Sequence, residues 1–355
     1  METIYSWLRS HGIQVEDRDE DHTAMYVLEN DKMSGAQQKL AIGSRYLVQE
    51  KLDGVFSFVA VVYRDGQYRS AHFGRSGKKQ PGCEAFDELL CQEFNRVSRY
   101  GGERSGVYIS EVTSDAALAV LSGYLNPNRV GPASAPAGIC DTFHDWMNVV
   151  DFCDGICHKE AHYRREYLCR MQEGTTMKVI GSQTMTFGDG QAFGRYLIQK
   201  LRKEGAVLKL TTGTWEAGKR DYRQVKVKEK LSYDVTVVGM CSGKEGTKYE
   251  HTLGKLLVLF RAFGDSRGKP LVVPVSGMTD TQRNLWWEHP ELIIGQCVKM
   301  DAKSFTEFGN LREPRFKEVR GDKSSEFPCI VDVGVMNQYT KAKCLWVEYH
   351  YCIME

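Results

Sequence analysis

An extended apolar run that ends on a lysine constrains this chain more than any other feature. The run begins at Tyr46 and leads into the tetrapeptide Lys51-Leu52-Asp53-Gly54. Because glycine lets neighbouring backbone approach closely, Asp53 and Gly54 predict a turn that presents Lys51. Such a tetrapeptide occurs in many unrelated proteins, so its meaning depends on the motifs that follow it.

Those motifs are short, and they follow Lys51 in a fixed order. They are Phe73-Gly74-Arg75-Ser76-Gly77-Lys78, an isolated strand carboxylate at Glu111, Glu204-Gly205-Ala206-Val207-Leu208-Lys209, Lys226-Val227-Lys228, Leu311-Arg312-Glu313-Pro314-Arg315-Phe316 and Arg320-Gly321-Asp322-Lys323. There is no G-x-x-x-x-G-K-[ST] phosphate loop, so a nucleotide is not expected to be held by that device.

The ordered set resembles the nucleotidyltransferase motifs of ATP-dependent DNA ligases, especially the small phage-type enzymes. The resemblance covers roughly residues 45–325, and its specificity lies in order and spacing together. It implies an α+β fold, in which residues 1–229 form a nucleotidyltransferase (adenylation) domain of antiparallel sheets with flanking helices. An all-β OB-fold barrel is expected over residues 230–326, followed by a C-terminal extension of unknown role over residues 327–355.

The residue patterns agree with this division. Residues 84–97 and 190–203 carry helical periodicity, and residues 107–112 read as a strand. From residue 233 onward the chain changes to short strands separated by turns, with one helix-like insert around residues 282–288. That pattern is typical of a small antiparallel barrel.

Sealing a nick requires an activated phosphate, and a lysine amine can supply one by taking AMP from ATP as a phosphoramidate. The amine must be uncharged to attack, and burial together with nearby cations lowers the pKa of a lysine. Lys51 is the expected nucleophile. Lys226 and Lys228 point to one face of a predicted strand, where they can hold the α-phosphate.

The resemblance assigns further roles, residue by residue. Mg²⁺ is expected on Glu204 first and Glu111 second, since this ion binds through one or two carboxylates. Asp53 orients groups near the phosphates, while the nucleotide is expected to contact Gln49, Glu50, Gly54, Arg75, Glu111, Lys209, Arg320, Asp322 and Lys323. Phosphates of nicked duplex DNA, the expected partner, are assigned to Lys78, Lys219, Arg220, Arg312 and Arg315.

Three positions depart from the family pattern. Phe56 stands where many ligases carry an arginine, and Gln49 stands where a glutamate often reads the adenine amino group. A glutamine carbonyl can accept the same hydrogen bond. The aromatic expected to stack on adenine is replaced by Val150, and we expect Phe152, on the same predicted strand, to substitute for it.

Composition adds only broad limits. A chain of 355 residues suggests two domains, and a net charge of +1 means that contacts with nucleic acid must come from local patches. Eleven scattered cysteines favour reduced thiols in a cytoplasmic compartment, which is the bacterial host's if the chain is phage-encoded. No apolar stretch is long enough to span a bilayer, and a monomer is expected. Only about fifty residues precede Lys51, so nick binding is expected to rest on the two predicted domains.

Two other interpretations remain open at this point. An RNA ligase or a capping guanylyltransferase shares the lysyl-nucleotide chemistry. A strand-binding protein that has lost catalysis is the alternative of another class, and the departures at Gln49, Phe56 and Val150 are its support.

Overall fold

The computed structural model describes residues 2–15, 24–98, 102–129, 131, 133–201, 203–228, 231–260, 271–302, 304–305, 311–322 and 344–345. The chain divides into two compact units, Met1–Lys228 and Glu229–Glu355.

The first unit combines helices with strands. Its helices are α1 (Ile4–Ser10), α2 (Gly35–Ala41), α3 (Glu84–Val97), α4 (Leu118–Tyr124), α5 (Val149–Asp154), α6 (Ala161–Gln172) and α7 (Phe187–Gln199). Its strands are β1 (Tyr26–Glu29), β2 (Arg45–Glu50), β3 (Val55–Arg64), β4 (Gln67–Phe73), β5 (Gly106–Thr113), β6 (Cys140–Met147), β7 (Ile156–Cys157), β8 (Lys178–Val179), β9 (Ser182–Thr186), β10 (Gly205–Leu210), β11 (Trp215–Glu216) and β12 (Arg220–Lys228).

Two five-stranded sheets form the frame of this unit. One has the order β1-β12-β10-β2-β9 and the other the order β4-β3-β5-β6-β8. Most neighbours are antiparallel, but β1 runs parallel to β12. Helix α7 packs on the first sheet, where Leu197 joins a core with Val48, Leu208 and Val227.

Local signals account for several of these elements. The helix predicted over residues 84–97 is confirmed as α3, and the predicted strand over 107–112 is confirmed within β5. Helix α7 begins earlier than predicted, because the side chain of Thr186 accepts a hydrogen bond from Asp189 N and caps its first turn.

The second unit is mostly β-structure. Its elements are β13 (Leu231–Ser242), β14 (Leu253–Phe260), β15 (Leu271–Val275), α8 (Asp280–Glu288), β16 (Cys297–Ala302), β17 (Ser304–Phe305), β18 (Leu311–Arg312), β19 (Arg315–Val319) and β20 (Cys344–Leu345). The main path has the order β15-β14-β13-β16-β19, and β20 pairs with β13. Almost all of the predicted extension, residues 327–355, lies outside the described residues.

A parallel bridge joins the two ends of that path. Ser276, directly after β15, pairs with Arg315 at the start of β19, and Phe316 N donates to Ser276 O at 2.7 Å. The enclosed core includes Val258, Val298 and Trp286. Five strands therefore follow one another around a closed path.

Two further observations concern the part of the chain that the structure describes. The cysteines whose side chains are defined there are all free thiols. No helix in these segments has both the length and the apolar character needed to cross a bilayer.

Candidate active site

Lys51 lies directly after β2, at the point where the strand leaves the first sheet. Its backbone N donates to Gly205 O at 2.8 Å, which extends the pairing of β2 with β10. Its Nζ donates to Glu204 Oε2 at 2.7 Å. The two side chains are 22% and 20% exposed, so solvent still reaches the pair. The first and fourth motifs are thus in direct contact.

Two glycines make this approach possible. Gly205 has φ +135°, and a Cβ there would collide with Val227 O. Gly54 lies so close to β5 that a Cβ would come within 2.7 Å of Glu111 Cγ. A side chain at either position would force the motifs apart.

Glu111 carries the clearest electrostatic signature of the site. Burial raises its pKa to about 7, and this effect is partly opposed by Lys51 and Arg75. The nearby carboxylates Glu204 and Asp53 raise the pKa further. Because these charges all act on the Glu111 carboxyl, Lys51 and Glu204 of one sheet lie in the same site as Arg75 and Glu111 of the other.

Lys226 and Lys228 project from β12 in the same sheet. Lys226 lies beside Val207, which in turn lies beside Gln49, so one row of residues crosses three strands. Burial and the neighbouring charge of Lys228 lower the pKa of Lys226. Both lysines also contact Glu29, which sequence reasoning did not identify, because no local pattern distinguishes it.

Gln49 is buried beside His144, a second residue that sequence reasoning missed. Gln49 Nε2 lies 3.5 Å from His144 O, while Lys209 Nζ donates to that same oxygen at 2.8 Å and to His144 Nδ1 at 3.1 Å. Burial and Lys209 lower the pKa of His144 to about 3, so its ring is neutral. With Nδ1 accepting, the ring proton lies on Nε2.

Lys209 was expected to contact the nucleotide, and the structure does not support that role. Its third hydrogen bond reaches Asp145 Oδ2 at 3.2 Å, so all three ammonium protons have protein partners. Asp145 is also held by Arg164 at 2.9 Å in the interior. Lys209 therefore contacts His144, the neighbour of Gln49, and Asp145.

Two other expectations need correction. Phe152 lies on helix α5 rather than on a strand, because Asn148 caps that helix and Gly155 ends it with φ 72°. Its ring is 1% exposed and packs against Phe58, which leaves no face for a base. Glu50 points to the opposite face from Gln49 and pairs with Lys203 Nζ at 3.0 Å, away from Lys51.

Arg75 extends over an aromatic surface. Its guanidinium carbon lies 4.6 Å from the centre of the Phe56 ring and 5.8 Å from that of Tyr26. The guanidinium carbon of Arg220 also lies over the Tyr26 ring, 5.0 Å from its centre. Phe56, which stands in place of the expected arginine, thus packs against Arg75.

The other residues assigned to DNA or to pyrophosphate are spread over both units. Lys78 pairs with Thr3 through the backbone, and exposed Lys219 lies 3.6 Å from Glu216. In the second unit, Arg312 and Arg315 belong to β18 and β19, and Arg320 donates to Asp322 at 2.7 Å and to Asp234 at 3.1 Å. Lys323 lies outside the described residues.

The donor chemistry of the site suits a hard divalent cation. Glu204 and Glu111 supply carboxylate oxygens, and Mg²⁺ needs only one or two of these when substrate phosphates and water complete its shell. Within the described segments there is no group of three or more His, Cys, Asp or Glu side chains arranged to hold a metal by themselves.

Comparison with known proteins defines the fold. No family model and no curated protein matches the chain. Among solved structures, Pmar-Lig_PreS3 is 20% identical, with 89% of this chain and 70% of that one covered and a TM-score of 0.60. A structure described as "DNA binding with a minimal scaffold: Structure-function analysis of Lig E DNA ligases" is 18% identical, with 83% and 100% covered and a TM-score of 0.57. The chain therefore has the fold of small DNA ligases, and the resemblance seen in its motifs is confirmed at the level of the fold.

Proposed function

We propose that this protein is an ATP-dependent DNA ligase that seals nicks in duplex DNA. The observation that carries the proposal is the contact of Lys51 Nζ with Glu204 Oε2 at 2.7 Å, beside Glu111, Arg75 and the lysine pair of β12. A lysine that pointed into solvent could not be the nucleophile, because the reacting amine must lie close to groups that neutralise the charge of the phosphate.

The first step joins AMP to the enzyme. Lys51 Nζ loses a proton and attacks the α-phosphorus of ATP; the new P–N bond forms as the bond to pyrophosphate breaks. Glu204 Oε2 already accepts a hydrogen bond from this amine, so it is the nearest group to receive the proton. Lys226 and Lys228 neutralise the α-phosphate, a role that suits two cations on one strand face.

The next two steps use that activated phosphate. An oxygen of the DNA 5′-phosphate attacks the adenylyl phosphorus and releases Lys51. The 3′-hydroxyl then attacks the 5′-phosphorus, which forms the phosphodiester and releases AMP. Arg75 is suited to hold the 5′-phosphate or a ribose, since a guanidinium makes forked hydrogen bonds to phosphate.

The side-chain orientation of Gln49 favours adenine over guanine. Its Nε2 is directed at His144 O, which leaves Oε1 as the acceptor. An acceptor matches the 6-amino group of adenine and opposes the 6-oxo group of guanine. This contact supports ATP and counts against a capping guanylyltransferase.

Mg²⁺ would be held by Glu204 and Glu111, where it would neutralise charge on the transferring phosphate. Asp53, which raises the pKa of Glu111, adds negative charge to the same site.

We further propose that the second unit is an OB-fold, with residues 1–229 and 230–326 as the two catalytic domains. The closed path of five strands and the parallel Ser276–Arg315 bridge support this assignment. Arg320 and Asp322 would orient pyrophosphate during self-adenylylation, and Arg312 with Arg315 would contact DNA phosphates. The enzyme would act as a monomer in the cytoplasm, on nicks left by replication and repair.

Intact-mass spectrometry tests the proposal. After incubation with ATP and Mg²⁺, the protein should gain the mass of one AMP, and Lys51→Ala should gain none. Lys39→Ala, which changes an exposed lysine on α2, should behave like the unaltered protein. The adduct should disappear when nicked DNA is added, with a sealed strand as product.

Other outcomes separate the alternatives. An adduct with GTP instead of ATP would identify a guanylyltransferase, and discharge onto nicked RNA but not DNA would identify an RNA ligase. A protein that binds nicks yet never forms an adduct would be a binding module.

A further inference from the structure

Glu29 is a carboxylate that faces three ammonium groups. It ends β1, where it lies in register with Lys226 of the parallel neighbour β12. Its Oε1 lies 3.5 Å from Lys226 Nζ and 3.3 Å from Lys228 Nζ, while Oε2 lies 3.0 Å from Lys32 Nζ. One oxygen is thus shared by the lysine pair, and the other has a separate partner.

This carboxylate is ionised at neutral pH. Burial opposes ionisation of the Glu29 side chain, which is 17% exposed. The charges and hydrogen bonds of Lys32, Lys228 and Lys226 nevertheless lower its pKa to about 2. Glu29 therefore presents a full negative charge to both lysines.

The sheet order separates Glu29 from the reacting amine. The sequence of strands is β1-β12-β10-β2, so Glu29 lies on one side of β12 and Lys51 beyond β10 on the other. Strands are about 4.8 Å apart, which puts β12 roughly 10 Å from β2. When the ammonium groups of Lys226 and Lys228 contact Glu29, they therefore point away from the end of β2, where Lys51 lies.

We propose that Glu29 is an internal counter-anion for Lys226 and Lys228, exchanged for a phosphate oxygen when the nucleotide enters. The inference rests on the proposed function, in which these two lysines hold the α-phosphate. Their flexible stems allow the ammonium groups to turn from Glu29 to phosphate. Glu29 is a positioning residue, since it acts through the lysines and not on the reacting atoms.

Lys32 makes this exchange feasible. Once the lysine pair turns away, Glu29 keeps its 3.0 Å ion pair with Lys32 through Oε2. The carboxylate is not left buried without a partner, which would be costly. Before nucleotide arrives, Glu29 offsets the repulsion between the two neighbouring ammonium groups.

A competing anion weakens the binding of any other anion at the same place. Glu29→Gln removes the charge and keeps the shape, so the lysine pair should bind phosphate more tightly. Loss of one partly exposed ion-pair partner predicts about a 5-fold gain in affinity. A carboxylate that merely supported the fold would give no such gain.

Calorimetry with inorganic tripolyphosphate tests this in the full chain. The expected result is binding about 5-fold tighter for Glu29→Gln than for the unaltered protein. Glu216→Gln is the matched control: it removes the same charge from a residue that pairs with Arg223 at 2.9 Å, away from the lysine pair. The control should bind as the unaltered protein does.

Equal or weaker binding by Glu29→Gln would overturn the inference, as would an equal gain in Glu216→Gln. If Glu29→Gln fails to fold, Glu29→Asp replaces it: the shorter side chain loosens the contact, so a smaller gain is expected and its absence would be decisive. Tripolyphosphate carries no adenylyl group. If Glu29→Gln binds tripolyphosphate more tightly but no AMP adduct forms, the ligase proposal is rejected and the counter-anion is kept. If the AMP adduct forms but the affinity does not rise, the counter-anion is rejected and the ligase proposal is kept.

Discussion

Individual residues at the site act mainly by constraining one another. Lys209 fixes the ring proton of His144, and His144 O receives the amide of Gln49. The acceptor that Gln49 offers a base is thus set by a chain of buried contacts that ends on Asp145 and Arg164. Under the proposed function, the choice of nucleotide would depend on that chain of contacts as well as on Gln49.

Gln49→Ala should impair the use of ATP selectively. Loss of one hydrogen bond of about 1–2 kcal/mol predicts a KM for ATP higher by roughly 5- to 30-fold, with little change for GTP. Adduct formation measured over a range of nucleotide concentrations checks this. Gln183→Ala, an exposed position on β9, is the control. A proportional loss with both nucleotides would mean that Gln49 supports the fold and does not read the base.

Gly205 illustrates how a single backbone position limits substitution. Gly205→Ala should destabilise the protein by about 1–3 kcal/mol, because φ +135° is strained for alanine and the methyl group meets Val227 O. Gly188→Ala on α7 has no heavy atom within 4 Å of its new methyl group, so it should be neutral or stabilise by about 0.5–1 kcal/mol. Denaturant midpoints of both variants provide the measurement, and equal effects would contradict the argument.

At the scale of elements, a buried histidine joins two parts of the first unit. His72 on β4 is 1% exposed; its Nδ1 lies 2.8 Å from Asp87 Oδ1 on α3, and its Nε2 lies 3.0 Å from Asp141 Oδ2 on β6. Burial lowers its pKa, but the two carboxylates outweigh this effect and raise it to about 10. The imidazolium therefore ties helix α3 to the sheet.

This tie predicts a dependence of stability on pH. Because the folded pKa of about 10 exceeds the ordinary value of 6.5, the stabilisation is complete below pH 6.5 and is lost as pH rises through 10. One proton gives a slope of at most about 1.4 kcal/mol per pH unit. The free energy of unfolding of His72→Asn should lack this component between pH 7 and 9.5, while the exposed control His251→Asn should retain it. Parallel pH profiles for His72→Asn and the unaltered protein would refute the charged bridge.

The sequence predicted those elements whose signals are local. Helical periodicity was enough to predict α3. The order of the motifs was enough to predict that Lys51 and Glu204 belong to one site. The prediction that Phe152 lies on a strand was wrong. The capping residue Asn148 and the terminal Gly155 make this segment a helix, whatever the spacing of its aromatic residues. Glu29 could not be found in this way, because only the parallel pairing of β1 with β12 brings it to the lysines.

At the scale of the whole molecule, charge is balanced, with a formal net charge of +1. Under the proposed function, attraction to DNA would therefore come from local groups, for which Arg75, Arg220 and Arg315 are the proposed examples. Each phosphate contact releases counterions from DNA. Binding should consequently depend on salt despite the neutral total.

The affinity for nicked duplex DNA should fall steeply between 50 and 200 mM salt, with a slope of about −0.9 in log K per phosphate contact. Arg220→Gln or Arg315→Gln should each reduce that slope by about 1. Fluorescence anisotropy at several salt concentrations measures both quantities, with Arg195→Gln on α7 as the control. A flat response to salt would mean that backbone phosphates are not the main contacts.

The parallel pairing of β1 with β12 also has a consequence for how the chain is made. Tyr26–Glu29 is synthesised well before Arg220–Lys228, its sheet neighbour in the part of the chain that the structure describes. A nascent chain must therefore carry an unpaired strand until nearly the whole first unit has been synthesised, and such exposed edges favour aggregation. Chaperone demand should be greatest just before residue 228 emerges, and Lys226 and Lys228 are the last part of the unit to be completed.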